Sequence, residues 1–149
     1  MPELTLVEFY TDGACLGNGR AGGGRMGAGI VGKSADFHKE WGIPLGTGTN
    51  QKAELLAVRE ALLRLRNRGM AHVRVYTDSA YAIGCLTQNW KVKTNTDLVD
   101  EVRTLVATCG RFEMRKVLGH SGVAMNERAD ELGRNAASTG EPYTGPPQS

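Results

Sequence analysis

The sequence predicts an α/β fold built on a mixed sheet, and three observations carry that prediction. Two apolar, β-prone runs, Leu4 to Thr11 and His72 to Thr77, lead into the same tripeptide, Tyr10-Thr11-Asp12 and Tyr76-Thr77-Asp78. Between them lies an amphipathic stretch, Ala53 to Arg68, of a length that suits a crossover helix between parallel strands. The first run is also followed by two further strand-like segments, Met26 to Lys33 and Phe37 to Ile43, separated by turn residues. These read as an antiparallel meander.

Bulk properties narrow the class. The chain has 149 residues, enough for one domain with a core of its own. Its 40% hydrophobic and 23% charged content suits a soluble globular protein. A net charge of only +2 means that any polyanionic partner must be met by local basic patches. No apolar run approaches a membrane span, and Met1-Pro2-Glu3 lacks a signal-peptide pattern. Cys15, Cys85 and Cys109 have no metal-site spacing and read as free thiols in a reducing, cytoplasmic compartment.

Taken in order, the first strand is Leu4 to Thr11. The glycine-rich segment Asn18 to Gly24 lacks a Gly-Lys-Ser/Thr ending and no helix follows, so it reads as a hairpin turn. After the meander, Gly46 to Asn50 is a loop that ends on capping residues. The helix Ala53 to Arg68 follows, with Leu55, Val58, Leu62 and Leu65 on one face and Gly69 as its stop. His72 to Thr77 is the fourth strand. Ser79 caps a short helix, Ala80 to Leu86. A polar connector, Gln88 to Asn95, leads to a helix from Thr96 or Asp97 to about Cys109. Phe112 to Leu118 is the last strand, Gly119 to Met125 a loop with His120, and Asn126 caps a final helix. Residues 1–138 form the folded domain. The stretch 139–149, rich in Thr, Gly and Pro, reads as a flexible tail.

The chemistry lies in the acids. If the two Tyr-Thr-Asp strands are parallel neighbours, Asp12 and Asp78 meet on one sheet edge. Two carboxylates about 4 Å apart repel by roughly 4 kcal/mol at an effective dielectric of about 20, so a shared proton or a cation must offset the charge. Taken alone, the two aspartates could equally open unrelated turns. Glu54 and Asp130 fall in the expected first turns of two helices, where the dipole alone favours an acid. Glu127 and Arg134 flank Asp130 at helical spacing, which suits a solvated face. Together, four carboxylates at element ends offer hard oxygen ligands for magnesium or manganese. His38 and His72 fall within strands and read as structural.

The motifs Tyr-Thr-Asp-Gly-Ala-Cys-Leu-Gly-Asn (10–18), Thr-Asn-Gln-Lys-Ala-Glu-Leu (49–55), Tyr-Thr-Asp-Ser (76–79), Gly-His-Ser-Gly (119–122) and Asn-Glu-Arg-Ala-Asp-Glu-Leu (126–132) resemble, in this order, ribonuclease H of type 1. The resemblance spans Leu4 to about Ala137. It implies a five-stranded sheet in the order 3-2-1-4-5 with helices on both faces. It implies an endoribonuclease, acting as a monomer, that cuts the RNA strand of RNA–DNA hybrids with little sequence preference. Asp12, Glu54, Asp78 and Asp130 would hold two Mg2+ ions, with Mn2+ an alternative, and Asp12 would bridge them. A metal-activated water would leave 5′-phosphate and 3′-hydroxyl ends, and His120 would assist proton transfer or product release. Two rival readings are a nuclease of the same broad fold acting on DNA, and a binding module without catalysis.

The same resemblance places substrate contacts. Gly13, Ala14, Cys15 and Glu54 would meet ribose 2′-hydroxyls, the group that separates RNA from DNA. Asn18, Asn50 and Gln51 would enter the minor groove, and Thr49, Trp90 and Asn95 would lie along the DNA strand. Many relatives carry a basic helical handle where this chain has only Asn89 to Thr96, with Lys91 and Lys93. Fewer phosphate contacts predict weaker binding and a shallower salt dependence. Ala80 and Thr47 stand where relatives often place a polar side chain and an arginine.

Overall fold

A computed structural model describes residues 3–17, 23–117 and 120–147, the side chains of 120–123 excepted. Six strands form one sheet: β1 (Thr5–Leu16), β2 (Gly24–Lys33), β3 (His38–Gly48), β4 (Ala71–Thr77), β5 (Arg111–Lys116) and β6 (Tyr143–Gly145). Their order is β5-β4-β1-β2-β3-β6. The expected 3-2-1-4-5 core is therefore present, with one strand added beside β3. β1 runs parallel to β4 and antiparallel to β2, and β4 runs parallel to β5.

Four helices cover the sheet: α1 (Asn50–Leu63), α2 (Ala80–Thr87), α3 (Thr96–Ala107) and α4 (His120–Thr139). On one face, Val7, Phe9, Val73 and Val75 of the sheet bury against Leu55, Val58 and Leu62 of α1 and Val99 and Val102 of α3. On the other, Tyr10 and Val31 pack against Ala129 and Leu132 of α4. Each such large apolar side chain, fully buried, contributes about 1.5–3 kcal/mol. Among the described residues no helix is long and apolar enough to cross a membrane.

Several boundaries differ from the sequence reading, each for a local reason. β1 continues past Thr11 to Leu16 because β2 stays paired with it as far as Arg25. β3 likewise runs through the expected loop to Gly48. Between Met26 and Gly27 the register shifts, so the extra residue Leu45 is absorbed as a bulge beside Pro44. α1 ends at Leu63, not Arg68. The Arg68 guanidinium donates to the carbonyls of Leu62 and Leu65, closing the helix end that apolar periodicity had extended. α4 starts at His120, so Asn126 lies inside a helix and caps nothing. The stretch read as a flexible tail instead contributes β6, which pairs Tyr143–Gly145 with Glu40–Gly42. Short and rich in turn residues, it carried no alternation strong enough to read as a strand.

Candidate active site

The repeated tripeptide sets the geometry. Tyr10 and Tyr76 are the last register partners of the parallel β1–β4 pair. Their rings stack at 4.6 Å with planes 10° apart. Two residues further on the same face come Asp12, within β1, and Asp78, just past β4. Asp12 is thus not at the end of its own strand, as expected. It stands where β4 has stopped, and the sheet edge opens there into a cleft.

Glu54 arrives from α1 on the opposite face, and Gly13 is the residue that lets it in. A Cβ at Gly13 would overlap the Ala53 carbonyl carbon and the Glu54 nitrogen, so α1 docks here directly on the strand backbone. The Gly13 N–H donates to Glu54 Oε2 at 3.2 Å, fixing one carboxylate oxygen. Oxygens of Asp12, Glu54 and Asp78 all lie within 4.8 Å of one another. Asp130 is brought up by α4, which presses equally close. A Cβ at Gly29 would overlap the Ala129 carbonyl oxygen. From there Asp130 lines the same cleft as the other three acids, outside the group whose oxygens lie within 4.8 Å of one another. Glu54 lies beyond the first turn of α1, which holds no acid, and Asp130 lies mid-helix. The helix dipole therefore does not explain either residue.

Two of these acids, Asp12 and Glu54, keep their protons into the neutral range. Burial pushes the Asp12 carboxyl up to about 9, helped by Asp130 and by the charges of Glu54 and Asp78. Burial also raises Glu54 to about 8, against the Gly13 N–H and with the charges of Asp78 and Asp130. At neutral pH the cluster takes its full charge only with a cation beside it. Three converging carboxylates, two of them buried, are hard oxygen donors. They fit magnesium or manganese rather than zinc or copper.

The acids line a cleft of about 600 Å³ with Gly13, Ala14, Cys15, Asn50 and Gln51, all expected from the sequence. Ala80, noted in the sequence for lacking its relatives' polar side chain, lines it too, as do Ser79, Tyr81, Asn126, Glu127 and Arg134, which were missed as site residues. The signal existed for Asn126 and Arg134, one turn before and after Asp130 on α4. Glu127 and Arg134, read as a solvated face, face this cleft. Thr49, Trp90 and Asn95 lie outside it. The Thr49 hydroxyl accepts from the Lys52 N–H as the cap of α1. Trp90 is half exposed, packs on Gly84 and accepts from Arg103 through its carbonyl. Asn95, in the left-handed region at φ 58°, donates to the hydroxyl of Tyr81. Asn18 and the His120 side chain lie outside the described residues. His72 pairs with Glu113, as a structural histidine would.

Comparison with known proteins agrees with this arrangement. The family model described as RNase H matches residues 5–138. The chain belongs to the RNase H family. A ribonuclease H of Syntrophomonas wolfei is 38% identical over 144 residues, covering 87% of this chain and 94% of the relative. The crystal structure of LC9-RNase H1, a type 1 RNase H with the type 2 active-site motif, superposes with a TM-score of 0.77 at 30% identity. That match covers 97% of this chain and 79% of the other. RNase H1 from Halobacterium salinarum NRC-1 gives 0.73 at 28% identity, covering 91% and 99%. Membership in the RNase H family makes the chain a nuclease, a hydrolase of phosphodiester bonds.

Proposed function

We propose that the chain hydrolyses the RNA strand of RNA–DNA hybrids, with Asp12, Glu54, Asp78 and Asp130 holding two Mg2+ ions in the cleft where β4 ends beside β1. The observation that carries this is the Asp12–Glu54–Asp78 cluster, two of its acids buried, in an open polar cleft. The bound ions would supply an activated water and neutralise the leaving oxygen, with 5′-phosphate and 3′-hydroxyl products. Asp12, buried at the centre of the cluster, would be a ligand to the bound metal. The Gly13 N–H holds Oε2 of Glu54, which orients Oε1.

The rest of the cleft reads the substrate. The backbone at Gly13 to Cys15 and the carboxylate of Glu54 meet ribose hydroxyls of the RNA strand. Asn50 and Gln51 reach the minor groove, whose degenerate edges permit little sequence choice. Thr49, Trp90 and Asn95, outside the cleft, are assigned to the DNA strand. His120, assigned from its motif, assists proton transfer or product release.

The test is incubation with a labelled RNA–DNA hybrid, with magnesium or a chelator, beside single-stranded RNA and duplex DNA. Magnesium-dependent cutting of the hybrid's RNA strand alone is the expected result. Cutting of duplex DNA, or binding without cutting, overturns the proposal.

A further inference from the structure

Asp130 reaches the cleft from a helix that lies on bare glycine backbone. A Cβ at Gly27 would overlap the Gly133 carbonyl oxygen, just as one at Gly29 would meet Ala129. Such a contact brings α4 very close to the sheet. Beside it Ala129 and Leu132 of α4 pack on Tyr10 and Val31, apolar contacts that hold the helix down without a directional bond to fix its roll. A directional polar tie would set its rotation more sharply.

Arg128 is placed to do so. Its Nε donates to both oxygens of Glu40, at 3.0 and 3.1 Å, and its Nη2 to Oε1 at 2.9 Å. Its Nη1 donates to Glu131 at 2.9 Å, one turn along the same helix. Glu40 is only 3% exposed and lies in β3, so this fork ties α4 to the sheet. The Tyr143 ring of β6 lies 6.0 Å from the guanidinium carbon and closes the outer side. On a helix Arg128 and Asp130 are about 200° apart, so the clamp grips the side of α4 away from the cleft.

We infer that Arg128 is a positioning residue: its fork on Glu40 sets the roll of α4 and so holds Asp130 beside Asp12 for metal binding. Gly133, one turn beyond Asp130, lies flat against the sheet backbone and has no side chain with which to share this task. The inference rests on the reading of Asp130 as a metal ligand proposed above.

The experiment measures magnesium affinity by calorimetry and by the magnesium-dependent rise in Tm, with kcat and KM on a hybrid alongside. Arg128→Lys keeps the charge but loses the planar fork. The double variant Arg128→Met with Glu40→Leu removes both charges, so no buried ion is left unpaired. In whichever of these folds, magnesium affinity and kcat fall by about tenfold while KM holds. Asp130→Asn shows the same loss, and adding Arg128→Lys to it causes no further loss. Wild-type magnesium affinity in the folded Arg128 variants overturns the inference, as does a fully additive loss with Asp130→Asn. An Asp130→Asn variant with unchanged magnesium affinity instead overturns the reading of Asp130.

Discussion

Glu40 and Asp12 are both buried carboxylates on one sheet, 3% and 7% exposed, and the protein treats them in opposite ways. Glu40 receives a complete guanidinium fork from Arg128. Asp12 faces three more acids instead, and its burial, with their charges, makes it keep its proton. A third acid, Glu113, sides with Glu40. Burial would raise it, but hydrogen bonds from His72 and Arg115 and the charges of Arg74 and Arg115 bring it down to about 2. The lesson is that a buried acid serving the fold carries its own cation, while one left among like charges is built for a cation from outside.

Breaking each region should leave distinct signatures. The largest effect is expected from Asp12→Asn. Cleavage of a labelled hybrid should fall by on the order of 10³-fold or more, since the variant would take a carboxylate out of the proposed metal site. The same variant should melt higher than the parent in a chelator at neutral pH, because the parent must protonate buried Asp12 to fold and an asparagine need not. Arg128→Ala works the other way. It leaves Glu40 buried and unpaired, and urea unfolding should show a loss of about 3–5 kcal/mol.

The pH dependence sharpens the contrast. Without metal, Asp12 and Glu54 titrate near 9 and 8 in the folded state, above their unfolded values. Folding then takes up protons, so stability falls as pH rises from about 4 to about 9. Glu113, lowered to about 2, contributes stability above its unfolded value that is lost as pH falls toward 2. Thermal melts in chelator should show both limbs. Magnesium should restore stability chiefly on the alkaline one, and a magnesium gain independent of pH would contradict the protonated cluster. The smallest effect is expected at Tyr143→Ala. It removes one half-exposed cation–π contact, and denaturant melts should shift by no more than about 1 kcal/mol.

The sequence by itself determined the core order of the sheet, the nuclease family and the meeting of Asp12 and Asp78 on one face of it. The repeated Tyr-Thr-Asp ending was enough to set register, because a period-two strand leaves no freedom about which side chains share a face. What only the tertiary structure decided was anything that depends on one backbone pressing on another. Apolar periodicity could not show that Arg68 ends α1, or that α4 begins at His120. Helix boundaries read from spacing put Glu54 and Asp130 in first turns that they do not occupy. The fork between Arg128 and Glu40 joins residues far apart in the chain, and neither belongs to a pattern that marks a partner. Local periodicity records which way a side chain points. The company it keeps is settled only when Gly13, Gly27 and Gly29 let the helices settle onto the sheet.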